Sequence, residues 1–241
     1  MCIRDRSVTV QNNATLATVE KIIQSFSQYL SEKLEVEVED IGFDDTSFRI
    51  KGSNYSPNVL EVAQMACEDL RFDLLKHSAK ATLDARSFPN GAHFAEVEVD
   101  PETGFVQVVK YCVVDDFGNL INPMLAEGQV HGGVAQGIGQ ALYENVVYDQ
   151  EGQLLTATFM DYGMPRAQDL PYYKFETECV PSTANIMGMK GCGEAGTVGA
   201  LAAVANAVQD ALWEFGIQQV DMPFTSEKIW SMINSVKLAA E

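Results

Sequence analysis

The stretch Gly188-Met189-Lys190-Gly191-Cys192-Gly193-Glu194-Ala195-Gly196-Thr197, running into Val198-Gly199-Ala200-Leu201-Ala202-Ala203-Val204-Ala205-Asn206-Ala207-Val208-Gln209-Asp210-Ala211-Leu212, decides how this chain is read. It sets one carboxylate, Glu194, among five glycines (188, 191, 193, 196 and 199). Glycine in such a loop permits positive φ and lets a ligand approach without Cβ atoms in the way. Leu201, Val204, Val208 and Leu212 then recur at helical spacing with alanines between them, the pattern of a helix packed closely on several sides. Glu194 therefore stands beside a helix N-terminus, where backbone N–H groups lack intrahelical partners.

Two readings of Glu194 stay open on local grounds. It can be an N-terminal carboxylate complementing the helix dipole, which contributes about 0.3–1 kcal/mol. It can equally be a general base held on a rigid loop, with a pKa tuned by its neighbours. Lys190, four residues earlier, is positioned to partner it or to meet an anionic ligand.

The rest of the composition narrows the class. With 241 residues, 46% of them hydrophobic, the chain can bury a sizeable core in one large domain or two lobes. No run approaches the ~18 apolar residues of a membrane span, and no signal peptide is legible, so a cytoplasmic protein is expected. Sixteen basic against 34 acidic residues give a formal charge of −18, which argues against nucleic acid or an anionic membrane as partner. A polyanionic cofactor would then have to be held by local backbone groups. Five cysteines (2, 67, 112, 179 and 192) form no C-x-x-C pair and read as free thiols rather than as ligands of zinc or an iron–sulfur cluster. The first six residues fit no later pattern and are expected to be a foreign leader, with the native protein, residues 7–241, continuing upstream.

Toward the N-terminus, Ser7 to Ala14 reads as a polar loop before a helix carrying Leu16, Val19, Ile22, Ile23, Phe26 and Leu30. That loop either caps the helix or grips a phosphate or heterocycle. Short strands are expected near 41–43 and 47–51, and Ser56-Pro57 marks a helix start. Ala95–Asp100 alternates, Pro101-Glu102-Thr103-Gly104 turns and Phe105–Val114 returns, an antiparallel hairpin ended by Asp115, Asp116, Gly118 and Asn119. Strands are also expected near 154–161 and 173–180. Between them Asp161 is either catalytic or a turn cap. A last helix follows Thr225 and Ser226, with Ile229, Trp230 and Ile233 facing inward.

A second glycine-rich run, Gly128-Gln129-Val130-His131-Gly132-Gly133-Val134-Ala135-Gln136-Gly137-Ile138-Gly139, has the apolar spacing of a helix. Five glycines at roughly 1 kcal/mol each against alanine would cost about 5 kcal/mol. Either another backbone or a ligand must lie against the glycine face to offset that. No Gly-Lys-Ser/Thr follows, and no strand feeds a G-x-G-x-x-G, so neither nucleotide fingerprint applies. Gln129 can both donate and accept toward a heterocycle. His131 reads as a packed histidine rather than a metal ligand, since no second His or Cys stands one turn away.

Taken in order, these motifs resemble one family. The Gly188–Gly196 segment with its alanine-rich helix is similar to the C-terminal G-x-G-E loop of xanthine-oxidase-type molybdenum hydroxylase large subunits. Asn122-Pro123 and Glu127-Gly128-Gln129-Val130-His131-Gly132-Gly133 with Gln136-Gly137-Ile138-Gly139 resemble that family's pterin-contacting run, and Asp100…Gly104 and Asp161-Tyr162…Pro165 match in order and spacing. Within the family the likeness is to aerobic carbon monoxide dehydrogenase-like large chains. It implies an α+β molybdopterin-binding C-terminal domain, built of antiparallel hairpins with long buried glycine- and alanine-rich helices.

The resemblance also implies chemistry. Glu194 matches the family's base, used as water-derived oxygen is inserted at an electron-poor carbon. Gln129, Gly128, Lys190, Gly191 and Gly193 match positions at the cofactor. Ser7 and Thr9 lie where the family has a serine-rich cofactor loop, although its usual pattern is poorly kept. The implied cofactor is a molybdenum–molybdopterin, in bacterial enzymes the cytosine dinucleotide form, without a protein metal ligand from this chain. Iron–sulfur and FAD centres would sit on small and medium partner subunits in a dimer of heterotrimers. The alternative is a nonenzymatic relative that binds or inserts the cofactor, or a scaffold subunit. The family's substrate-distinguishing loop lies upstream of these residues, so the fragment alone is expected to be inactive and its substrate is not legible.

Overall fold

The computed structural model describes residues 3–83 and 85–240. The chain divides into a smaller unit, Ser7–Asp84, and a larger one formed by Ala85–Glu241 and the residues before Ser7, so that the first helix enters the smaller unit from Ser7 onward.

The smaller unit is built on α1 (Ile3–Leu34), a hairpin of β1 (Ile41–Phe43) and β2 (Phe48–Ile50), and α2 (Val59–Glu68). Its core joins Phe26 and Leu30 of α1 to Phe48 and Ile50 of the hairpin and to Val62 and Ala66 of α2. The loop expected over residues 7–14 is not formed. No glycine or proline occurs between residues 3 and 34, so nothing breaks the helix, and Thr9 and Asn13 are buried within it. The side chain of Ser7 and the expected leader residues Met1 and Cys2 lie outside the described atoms, while residues 3–6 run on as helix. The start of α2 also differs from the expectation. Asn58, not Ser56, is its N-cap, with Oδ1 accepting from Leu60 N–H and Glu61 N–H while Glu61 returns to Asn58 N–H. Pro57 is instead tied to the hairpin through its carbonyl, which accepts from Phe48 N–H at 2.9 Å.

The larger unit contains β3 (Asn90–Val99), β4 (Val106–Asp116), α3 (Pro123–Leu142), β5 (Tyr173–Thr177), α4 (Ala195–Trp213) and α5 (Ser226–Ala240). The expected hairpin is β3–β4, with a bulge between Glu96 and Val97, and β5 adds on the far side of β4 in parallel. A continuous core joins the sheet to both glycine-rich helices. It runs from Val106, Val108, Tyr111 and Val113 through Val130, Val134 and Ile138 to Ala200, Val204, Val208 and Leu212. Residues 154–161 form no strand and hold a single bridge, Tyr148 to Leu154. Phe159 and Met160 there are exposed, so no apolar face stabilises a ladder. In α5, Ile229 and Ile233 are buried as expected, but Trp230 faces outward, 46% exposed. Among the described residues no helix is long and apolar enough to cross a membrane.

Candidate functional site

The site is assembled where α3 and α4 cross. Gly133, Gly137 and Gly196 let the two backbones meet: a Cβ on Gly133 would stand 3.0 Å from Thr197 N, one on Gly137 2.6 Å from Ala200 Cβ, and one on Gly196 2.6 Å from Val130 O. Gly139 is filled from another side, by Glu144 and Pro165. Gly128 and Gly132 behave otherwise, since a Cβ at either would meet nothing within 4 Å. The question left open by the sequence is thus divided between neighbouring residues. Packing accounts for Gly133, Gly137 and Gly139, whereas Gly128 and Gly132 leave a strip of bare helix backbone, both residues being exposed.

Gln129 stands on that exposed strip and ties it to the Glu194 loop: its Nε2 donates to Gly193 O at 2.9 Å. Thr197 Oγ1 adds a second link, donating to Gly133 O at 3.1 Å. Glu194 is the N-cap residue of α4 and its carbonyl accepts from Val198 N–H, but its exposed side chain makes no capping bond to the helix.

Upstream, the loop is laced to the end of β4. Lys190 N–H donates to Phe117 O at 2.8 Å, Asn119 N–H and Ser182 N–H both donate to Gly188 O at 3.0 Å, and Asn119 Nδ2 donates to Met187 O at 2.9 Å. Gly188 and Gly118 both take positive φ, +65° and +63°, and a Cβ on Gly118 would fall 2.1 Å from Gly188 O, so this close approach requires glycine. The Lys190 ammonium pairs with Asp116 Oδ2, side chains 11% and 14% exposed respectively. Lys190 therefore partners Asp116 rather than Glu194. Asp116 Oδ1 also accepts from Gly118 N–H at 2.9 Å and Val180 N–H at 3.0 Å. Burial pushes the Asp116 carboxyl up, but the hydrogen bonds from Lys190, Val180 and Gly118 outweigh it and hold it at about 2.

The sequence missed this brace because its partners are far apart in the chain and Asp116 reads locally as a strand terminator. It also missed a buried chain beneath α4, in which His93 contacts Tyr111 OH through Nδ1 at 2.7 Å and Asp115 Oδ1 through Nε2 at 3.2 Å. Gly199 makes room for the His93 ring, which a Cβ there would meet at 2.5 Å. Burial, then the charge of Asp115, pushes the Tyr111 hydroxyl far above its ordinary value. His131 packs edge-on against Tyr173 and Phe175, and Asp161 accepts from Thr158 Oγ1 at 2.7 Å in a turn, the capping role weighed for it. Cys67, Cys112 and Cys179 are free thiols. Among the described residues no group of three or more His, Cys, Asp or Glu is arranged to hold a metal ion. The donor set at the crossing is one of amide, carbonyl and bare backbone groups with one nearby carboxylate. Such a set suits a large heterocyclic, phosphate-bearing cofactor that brings its own reactive atom.

This chain belongs to the molybdopterin cofactor-binding domain family, whose sequence model matches residues 5–171. The Glu194 loop lies beyond that match but within the relatives that follow. The gamma subunit of the 6-hydroxypseudooxynicotine dehydrogenase complex of Paenarthrobacter nicotinovorans is 32% identical over 240 residues, covering 97% of this chain and 30% of that protein. The carbon monoxide dehydrogenase large chain of Hydrogenophaga pseudoflava is 31% identical over 238 residues, again 97% of this chain and 30% of that one. The crystal structure of quinoline 2-oxidoreductase from Pseudomonas putida 86 superposes with a TM-score of 0.84 at 34% identity, covering 97% of this chain and 30% of that chain. The chain thus spans about 30% of the length of these relatives. The kinship with carbon monoxide dehydrogenase-like large chains and the molybdopterin-binding fold implied by the motifs both hold.

Proposed function

We propose that this chain carries the base-bearing wall of a molybdopterin site in a molybdenum hydroxylase, with Glu194 as general base and the Gly128–Gly132 strip of α3 as the surface on which the cofactor lies. The observation that supports this most is the Gln129 Nε2 to Gly193 O hydrogen bond, which locks the bare glycine strip to the loop presenting Glu194. Donation through Nε2 leaves Gln129 Oε1 to accept from a pterin N–H. Gly128 and Gly132 admit a flat ring system to van der Waals distance of the helix. Gly191 and Gly193 keep the loop free of side chains beside Glu194. Lys190 holds the loop from behind through Asp116 and is not needed as a cofactor ligand, while Ser7 and Thr9, helical rather than in a loop, are not part of this reading.

When bound, the group would supply the two-electron oxidation of substrate. Glu194 would take the proton released as a water-derived oxygen attacks an electron-poor carbon. Electrons must then leave the site, which calls for redox centres outside this chain. Iron–sulfur and flavin subunits are the proposed partners, in the dimer of heterotrimers that the family resemblance implies, and the cytosine dinucleotide form of the cofactor is the proposed ligand in a cytoplasmic enzyme. Relatives named as a large chain and as a complex subunit are in keeping with partner chains. The test is Glu194→Gln in the complete enzyme, purified with the chains that associate with it. Loss of a general base should lower kcat by roughly 10² or more with molybdenum content unchanged, and unchanged turnover at full cofactor content would overturn the assignment.

A further inference from the structure

A helix turns by about 100° per residue, so residues seven apart return to the same side two turns, roughly 10 Å, further along. Gln129 and Gln136 of α3 stand in that relation, with Gly132 and Gly133 on the turn between them. Both glutamines are exposed, and both reach across to the start of α4. Gln129 Nε2 donates to Gly193 O at 2.9 Å. Gln136 Oε1 lies 3.3 Å from Thr197 Oγ1, which shares its one proton between that oxygen and Gly133 O. The two amides are thus tied by opposite ends. Gln129 keeps an acceptor, Oε1, for a ligand, whereas Gln136 keeps a donor, Nε2, which meets no acceptor among the described residues.

Packing does not account for Gln136. The close contact with α4 is made by its neighbours Gly133 and Gly137, while the glutamine itself lies outside the core, at the edge of the crossing. An acceptor and a donor two turns apart suit a ligand with unlike ends, one bearing ring N–H groups and the other anionic oxygens. We propose that Gln136 is a second cofactor-binding residue, donating through Nε2 to a phosphate oxygen of the group that lies along the strip, with the ring end toward Gln129 and the phosphate end toward Gln136. The inference rests on the strip being the cofactor surface. In a chain of formal charge −18 an anion has to be held by local donors, and a hydrogen bond to a charged acceptor is stronger than one to a neutral group.

The experiment uses the complete enzyme, purified with the chains that associate with it, as wild type, Gln136→Glu, Gln136→Met and the Gly128→Trp/Gly132→Trp variant. Pterin and molybdenum retained after prolonged dialysis are read for each, with the thermal midpoint of the cofactor-free protein. Gln136→Glu sets a carboxylate against the phosphate and should lower retention by roughly ten-fold or more. Gln136→Met only removes the donor and should lower it by roughly two- to five-fold. The thermal midpoint should stay unchanged in both, since Glu and Met form helix as readily as Gln at an exposed position. A purely structural role would not rank Glu below Met. Wild-type retention in Gln136→Glu, or a greater loss in Gln136→Met than in Gln136→Glu, would overturn the inference. Wild-type retention in the Gly128→Trp/Gly132→Trp variant would instead overturn the strip as the cofactor surface.

Discussion

Glu194 and Asp116 are both carboxylates near the same loop, yet their surroundings give them different duties. Glu194 is exposed at the N-cap of α4, and its side chain makes no capping bond to the helix. Asp116 is enclosed, paired with Lys190, and held at about pKa 2. Because that folded-state value is depressed below the ordinary 3.8, its contribution is present above about pH 4 and is lost as pH falls toward 2. The stability difference between wild type and Asp116→Asn, measured by denaturant titration across pH, should therefore be constant from pH 5 to 7 and shrink between pH 4 and 2. A difference independent of pH would show that the carboxylate charge is not what matters. The glycine-flanked place of Glu194 at the start of α4 was legible, because a lone Glu among glycines before a helical pattern is a local signal. The brace was not, since Lys190 and Asp116 are 74 positions apart and only the fold brings them together.

At the scale of the element, α3 carries glycines of two kinds. Gly137 lies against α4 and Gly132 lies against open space. Gly137→Ala should destabilise the larger unit by about 1–3 kcal/mol, as an added methyl must push two backbones apart. Gly132→Ala should do the opposite, stabilising the helix by about 0.5–1 kcal/mol through propensity alone while lowering retention of bound pterin. Thermal denaturation and pterin fluorescence of the purified variants read the two effects separately. Equal destabilisation by both substitutions would mean that the glycine strip is a packing surface throughout. Helical periodicity was enough to place α3, α4 and α5, and alternation was enough for β3 and β4. What failed were boundaries and short elements. The start of α1 lacks a breaker, α2 is capped by Asn58 two residues after the expected Ser, and residues 154–161 have strand-like composition without a face to bury. Trp230 sits at helical spacing with Ile229 and Ile233 but one step round the helix, so spacing alone assigned it to the wrong side.

At the scale of the molecule, a chain with a formal charge of −18 is an unpromising binder of an anionic, phosphate-bearing group. Locally the fold offers bare backbone on α3, the Gln129 amide, and Asp116 at the end of β4 paired with Lys190 of the loop. The central claim is that this crossing of α3 and α4 is one wall of a molybdopterin site. It is tested most directly by elemental and pterin analysis of the complete protein, purified with the chains that associate with it and compared with a Gly128→Trp/Gly132→Trp variant that fills the strip. The account predicts molybdenum and pterin close to one per chain in the wild type and a fall of at least ten-fold in the variant, with the fold retained. Equal content in both, or none in either, would contradict it.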